Sequence, residues 1–292
     1  MSNVVSFDAF DSVQQIGAHQ MGLPRIVLEG QDDVKFFENW FRDMAHTVVF
    51  VEASEIGAGG GCTSVPTAVV HSRQTDNIPA IGIVDRDTLF RKKSWSLLFT
   101  HDEDAFRAVH SDEVFTASLW EVEAYLLRPD LLPDWVAIRS HTLPAPAALC
   151  EGALQAAVEE CEALLDAAPA FAAAHAHRVR AEEGWGANLS HAELGSQCAH
   201  WFAEAVGGQG GVVAAVTALV VTVRANAPAD LAQKLVYYLR YVDTKRLLMR
   251  LNSRLGMKGN AHWALKTLMA RDGYKPQELL AVVSAHADAY GP

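Results

Sequence analysis

The sequence predicts an α/β protein: a mostly parallel sheet with flanking helices, followed by a mainly helical C-terminal region. Three observations predict it. Short apolar runs at Ile26–Leu28, Val48–Val51 and Ala80–Val84 read as buried parallel strands. Helix-like segments separate them, which is the rhythm of a parallel sheet with crossover helices. Beyond Pro129, Pro133, Pro144 and Pro146 the composition shifts to alanine-rich helix. The prolines mark a linker, which divides the chain into an N-terminal extension (1–22), a sheet domain (23–135) and a helical domain (146–292).

In chain order, the extension holds a short amphipathic piece through Phe10, Val13 and Ile16. Ile26–Leu28 is the first strand. Gly30 permits a sharp turn, and Asp32 or Asp33 caps a helix over 32–44 whose apolar face is Val34, Phe36, Phe37 and Trp40. Thr47–Glu52 is the second strand. The glycine-rich stretch 57–61 is a loop beside the site, with contact to a nucleic-acid phosphate as the alternative to a plain loop. It lacks the Gly-Lys-Ser/Thr ending of a P-loop. A helix starts near Thr63 or Ser64, with Pro66 in its first turn. Ala80–Val84 is the central strand, and Phe90–Ser96 is a basic loop carrying Arg91, Lys92 and Lys93. Val114–Ala117 is a further strand, leading into Trp120–Leu127, of which Tyr125, Leu126 and Leu127 belong to the core.

In the second half, one helix ends near Pro169 and another spans Ala172–Glu183. His175 and His177 are two apart, would not share a helix face, and are discounted as metal ligands. Val212–Val223 is buried, as helix or strand. Asp230–Leu255 is a long helix, interrupted near Asp243. Short helices over 262–270 and 276–286 close the chain.

Composition narrows the function. The 292 residues are 50% hydrophobic, enough for a sizeable core. A net charge of −11 argues against a protein that coats nucleic acid by charge alone. No apolar stretch reaches the roughly eighteen residues of a membrane helix, and the first residues lack a signal-peptide pattern. A cytoplasmic protein is expected. The 4 cysteines include no Cys-x-x-Cys pair, so structural zinc has no support. The stretch Lys234–Lys275 is locally basic, opposed only by Asp243 and Asp272. It faces either a phosphate backbone, through residues such as Arg246 and Arg250, or an acidic patch on another subunit.

Chemistry enters with the acids at strand ends. Asp85 and Asp87 follow the central strand, and residues two apart in extended chain point the same way. Adjacent carboxylates repel unless a cation lies between them. Mg2+ answers that need, because it takes oxygen ligands and keeps waters for phosphate. Glu29 ends the first strand, and ligands of open α/β sheets collect at carboxyl ends of strands.

Leu28-Glu29-Gly30 with Asp33, followed by Val84-Asp85-Arg86-Asp87, resembles the TOPRIM domain of topoisomerases, primases and OLD nucleases. Trp120-Glu121-Val122-Glu123-Ala124-Tyr125-Leu126-Leu127 is similar to a segment of a small TOPRIM-like subfamily of the OLD/AriB type. That subfamily includes the effector of the PARIS phage-defence system, which works with an ABC-type ATPase. Val242-Asp243-Thr244-Lys245-Arg246-Leu247-Leu248 resembles its C-terminal motif, with Thr244 in place of glycine. The likeness covers about Pro24–Leu127, and beyond it only that last motif.

The resemblance implies a TOPRIM, Rossmann-like fold and a metal-dependent nuclease. Glu29, Asp85 and Asp87 would hold one Mg2+ or Mn2+, and Asp33 with Glu123 a second. Lys245 would act as the catalytic cation. Glu121 is a supporting or exposed group. Arg91, Lys92 and Lys93 would steer the substrate. The resemblance further implies an ABC-type ATPase partner, a homodimer when active, and RNA, particularly tRNA, as substrate. The OLD likeness points instead to DNA. A non-catalytic module docking to an ATPase is the rival reading. A primase-like transferase is disfavoured for want of a further template- or nucleotide-binding domain.

Overall fold

The computed structural model describes residues 22–57, 61–179, 185–206, 210–259 and 261–291. The amphipathic piece expected around Phe10, Val13 and Ile16 lies outside them, as do residues 58–60 of the glycine-rich stretch. The chain divides into two compact units.

The first unit comprises residues 1–84, 109–117 and 273–292 and contains the sheet. Its strands are β1 (Arg25–Leu28), β2 (Val49–Glu52), β3 (Ala80–Val84) and β4 (Val114–Thr116). All pairings are parallel, in the order β2-β1-β3-β4. This is an α/β arrangement consistent with a Rossmann-like fold. Helix α1 (Gln31–Trp40) follows β1, and a short 3-10 turn, Arg42–Met44, completes the stretch expected to be one helix. Helix α2 (Val65–Gln74) follows β2, with proline in its first turn.

Side-chain alternation assigns the sheet's two faces. Val27, Val51, Ala80 and Val84 pack with Val65, Ala68 and Val69 of α2. Phe50, pointing the other way, meets Phe37 and Phe41 from α1 and the turn after it. Gly82 is where α2 comes closest. A Cβ there would collide with Val65 and crowd Val69 and Val114. The C-terminal helix, Gln277–Tyr290, also belongs to this unit, with Leu279, Val283 and Ala287 buried.

The second unit comprises 85–108 and 118–272. It opens with α3 (Asp87–Arg91), α4 (Trp95–Leu98) and α5 (Glu103–Arg107). The stretch expected as a basic loop over Phe90–Ser96 is therefore the end of one helix, a tight turn and the start of another. A 3-10 turn, Val122–Leu126, precedes α6 (Leu132–Arg139) and α7 (Ala147–Glu151).

Helix α8 runs unbroken from Ala153 to Ala176. That corrects the expectation of two helices meeting near Pro169. Proline removes one backbone hydrogen bond, but Ala167, Ala168, Ala170, Ala172 and Ala173 around it are buried, and their packing outweighs the local cost. Helices α9 (His191–Val206), α10 (Gly210–Ala225), α11 (Leu231–Tyr238) and α12 (Thr244–Arg254) all pack on α8, and α13 (Ala261–Asp272) follows. The undecided Val212–Val223 segment is thus helical. The expected interruption near Asp243 is the gap between α11 and α12. Among the described residues, no helix is long and apolar enough to cross a membrane.

Candidate metal and phosphate site

In a sheet ordered β2-β1-β3-β4, the chain reverses its direction of progress between β1 and β3. That switch point is where open α/β sheets leave a crevice at their carboxyl ends. Val27 pairs with Gly82, so Glu29 and Asp85 leave β1 and β3 at nearly the same level. Asp85 is peptide-bonded to the last residue of β3, and its place follows from the β1–β3 register. One carboxylate oxygen from each of Glu29, Asp85 and Asp87 lies within 4.8 Å of the others. All three side chains are half-buried. At this edge the Gly61 N–H donates to the Glu29 backbone carbonyl at 3.2 Å. Gly61 has φ +85, a backbone that side-chain-bearing residues rarely adopt.

Asp87 is held by its backbone and by Arg91. Its N–H donates to the Trp120 carbonyl at 3.0 Å. Its Oδ2 accepts from Arg91 Nε at 3.0 Å and Nη2 at 2.7 Å. Its Oδ1 is buried and has no hydrogen-bond partner. Burial raises the carboxyl pKa above the usual range, and Arg91 opposes that rise. A buried carboxylate oxygen with no donor, beside two further carboxylates, is the environment a hard cation satisfies.

A second polar cluster stands on the 118–127 segment and α12, within the second unit. Glu121 is extended, at φ −144 and ψ 164, and the 3-10 turn begins at the next residue. Glu121 and Glu123 are both buried. Lys245, in the first turn of α12, places Nζ 2.8 Å from Glu121 Oε2 and 3.4 Å from Glu123 Oε1. About half of its side chain remains exposed. Asp243 caps α12: its Oδ1 accepts from the Arg246 N–H at 2.9 Å.

Burial, with Asp243 and Glu123 adding their negative charge, pushes the Glu121 carboxyl up to about 8 against the pull of Lys245. For Lys245, burial works against the ammonium, yet Glu121, Glu123 and Asp85 together raise its pKa above the ordinary lysine value. Lys245 also acts electrostatically on Asp87. The Glu121–Lys245–Glu123 cluster and the Asp85–Asp87 pair therefore share one field.

Several expected site residues also have partners within the fold. Asp33 Oδ2 accepts from the Gly30 N–H at 3.2 Å, so it closes the start of α1. Glu123 is engaged by Lys245. Neither Asp33 nor Glu123 belongs to the three-carboxylate group. Arg91 is paired with Asp87, and Lys93 donates to the Ala176 carbonyl at 3.0 Å. Lys92 is exposed just beyond α3.

Arg250 and Arg246 need correction as phosphate contacts. Arg250 is 3% exposed and its Nε donates to Glu160 Oε2 at 2.6 Å. Arg246 donates to Asp243 Oδ2 at 3.0 Å and to the Trp185 carbonyl at 3.0 Å, and lies 4.7 Å over the Phe171 ring. Arg254 pairs with Glu159 and Glu160. Within the basic stretch read from 234–275, Arg250 and Arg254 are thus answered by acids of α8 and Arg246 by its own cap.

Sequence reasoning passed over Arg86. It stands between the two aspartates with a helical backbone (φ −62, ψ −26) just before α3, and its side chain is buried. Thr244, where the resembling motif has glycine, is fully buried. No family model matches the chain, and no curated protein matches it.

Proposed function

We propose that this chain is a TOPRIM-like, Mg2+- or Mn2+-dependent nuclease that hydrolyses phosphodiester bonds. The observation that carries the reading is the meeting of Glu29, Asp85 and Asp87 at the β1–β3 switch point, with Asp87 Oδ1 buried and lacking a donor. The order of the motifs along the chain supports it, since each of the four resembling segments contributes to this site or to the cluster in its field.

Glu29, Asp85 and Asp87 would hold the ion. A bound divalent ion polarises a phosphoryl oxygen and lowers the pKa of a coordinated water. The chain's own residues supply the remainder. Arg91 fixes Asp87 through two N–H donors, which leaves Oδ1 for the ion. Glu121 and Glu123 anchor the Lys245 ammonium while its half-exposed side chain stays open to a substrate. A cation so placed offsets charge that builds on a phosphate in the transition state. All three members of the basic triplet are exposed, and with Arg91 on Asp87 and Lys93 on a carbonyl, Lys92 would attract a polyanion.

RNA, in particular tRNA, is the favoured substrate, and DNA the alternative. An ABC-type ATPase partner, a homodimeric active form, a role in anti-phage defence and a cytoplasmic location complete the reading, all resting on the resemblance. The test incubates the protein with Mn2+ and end-labelled tRNA or duplex DNA, beside Asp85→Asn and a chelator control. Cleavage that disappears in both controls supports the assignment, and the labelled product names the substrate. Mn2+ binding without cleavage of either nucleic acid favours the docking module. No Mn2+ binding removes the site.

A further inference from the structure

Arg86 is 1% exposed, one of the largest fully buried side chains in the chain, and it stands between two acids of the proposed site. Burying a guanidinium is costly unless its donors are met. Here they are met by backbone carbonyls. Nε donates to Leu98 at 3.1 Å, Nη2 to Leu98 at 2.7 Å and Thr100 at 3.3 Å, and Nη1 to Ser118 at 3.2 Å. The guanidinium carbon lies 4.1 Å from the Phe106 ring centroid and 5.1 Å from that of Tyr241.

Two of these contacts lead to the segments that carry Glu121 and Asp243. Ser118 is three residues before Glu121. Tyr241 is two residues before Asp243, and its hydroxyl donates to the Thr100 carbonyl at 2.9 Å, an oxygen Arg86 also uses. The same segments are cross-tied by backbone. Asp87 N–H donates to Trp120 at 3.0 Å, and Trp120 N–H to Leu239 at 2.9 Å.

We infer that Arg86 is a positioning residue: its buried guanidinium locks the Asp85–Asp87 turn to the segments carrying Glu121, Glu123 and Lys245, and so sets the spacing between the carboxylates and the ammonium. What is positioned rests on the metal-site reading above; the locking itself does not. The side chain suits this role because its planar fork presents five donors in fixed directions. A lysine keeps the charge but offers three donors from a single nitrogen. The bland alternative is an arginine that only fills the core, which would contribute to global stability and nothing more.

Two measurements on wild type and Arg86→Lys decide between these, both taken well below the unfolding temperature. The first is amide hydrogen exchange. Positioning predicts faster exchange in 85–91, 118–127 and 239–247 together, with β1 and β3 still protected. Unchanged protection, or loosening of one segment alone, overturns the inference. The second is Mn2+ affinity read from the spin-resonance signal of free Mn2+. A residue supporting the ligands of an ion costs roughly 10- to 100-fold in affinity when replaced. A folded Arg86→Lys protein that binds Mn2+ as wild type does also overturns it. Should wild type itself take up no Mn2+, the metal reading falls, and the exchange data still decide whether Arg86 is the lock. If Arg86→Lys fails to fold, Tyr241→Phe, which removes only the hydroxyl that shares the Thr100 carbonyl, is put through the exchange measurement. Loosening of the three segments supports the inference and its absence overturns it.

Discussion

The ammonium of Lys245 lies 2.8 Å from the buried carboxylate of Glu121, joining the first turn of α12 to the segment that leads from β4 into the 3-10 turn. The pair sets a pH dependence whose sign can be worked out. Burial, reinforced by Asp243 and Glu123, lets folded Glu121 keep its proton up to about 8, whereas the unfolded chain releases it near 4.5. Between those values the native state binds more protons than the unfolded one. Stability therefore falls as pH rises across that window, by at most about 1.4 kcal/mol per pH unit for this one group. In chelator, urea unfolding of Glu121→Gln should show a flatter slope between pH 5 and 8 than wild type. Parallel slopes in the two proteins would contradict the assignment.

Asp87→Asn should separate stability from function. The substitution removes a carboxylate that burial disfavours while keeping the side chain's shape, although it weakens the pairing with Arg91. Without metal, the variant's melting temperature should stay within a few degrees of wild type. Calorimetric Mn2+ binding should drop at least tenfold. A variant that melts far lower yet binds Mn2+ normally would place Asp87 in the scaffold rather than at the ion.

Gly82→Val tests how α2 seats on β3. The new side chain would enter the space held by Val65, Val69 and Val114. Overpacking of this kind costs typically about 1–3 kcal/mol. The midpoint of chemical unfolding should fall accordingly. An unchanged midpoint would mean that the helix can move away without penalty.

Arg250→Ala should be destabilising, by up to roughly 3–5 kcal/mol, because it leaves buried Glu160 with only the half-exposed Arg254 as partner. Replacing both, as Arg250→Met with Glu160→Leu, should recover most of that loss. The recovered double variant should bind RNA as wild type does, measured by filter retention. Weakened binding in a stable double variant would restore Arg250 as a phosphate contact.

The sheet and the carboxylate trio were legible because both follow from local rules. Apolar runs of strand length mark β1 and β3, and an acid directly after such a run is delivered to the carboxyl edge. What stayed hidden depends on partners distant in the chain. The basic run near Arg250 looked like a surface because sequence does not show that Glu159 and Glu160 of α8 lie opposite. Glu121 gave no sign of its burial, since that comes from the packing of α12 and the 118–127 segment. Pro169 misled because a local helix-breaking rule was outweighed by buried alanines on both sides. Arg86 stayed hidden for the same reason: its backbone is helical, so strand alternation does not set its direction, and the carbonyls of Leu98, Thr100 and Ser118 that hold it come later in the chain.

The tie from the Gly61 amide to the Glu29 carbonyl has an experimental use. It is made by main chain alone, so it is indifferent to the side chain at position 29. Acid, amide or alanine there leaves the same tether at Gly61. Electrostatics at that corner can therefore be edited one atom group at a time without unfastening Gly61 from the strand end.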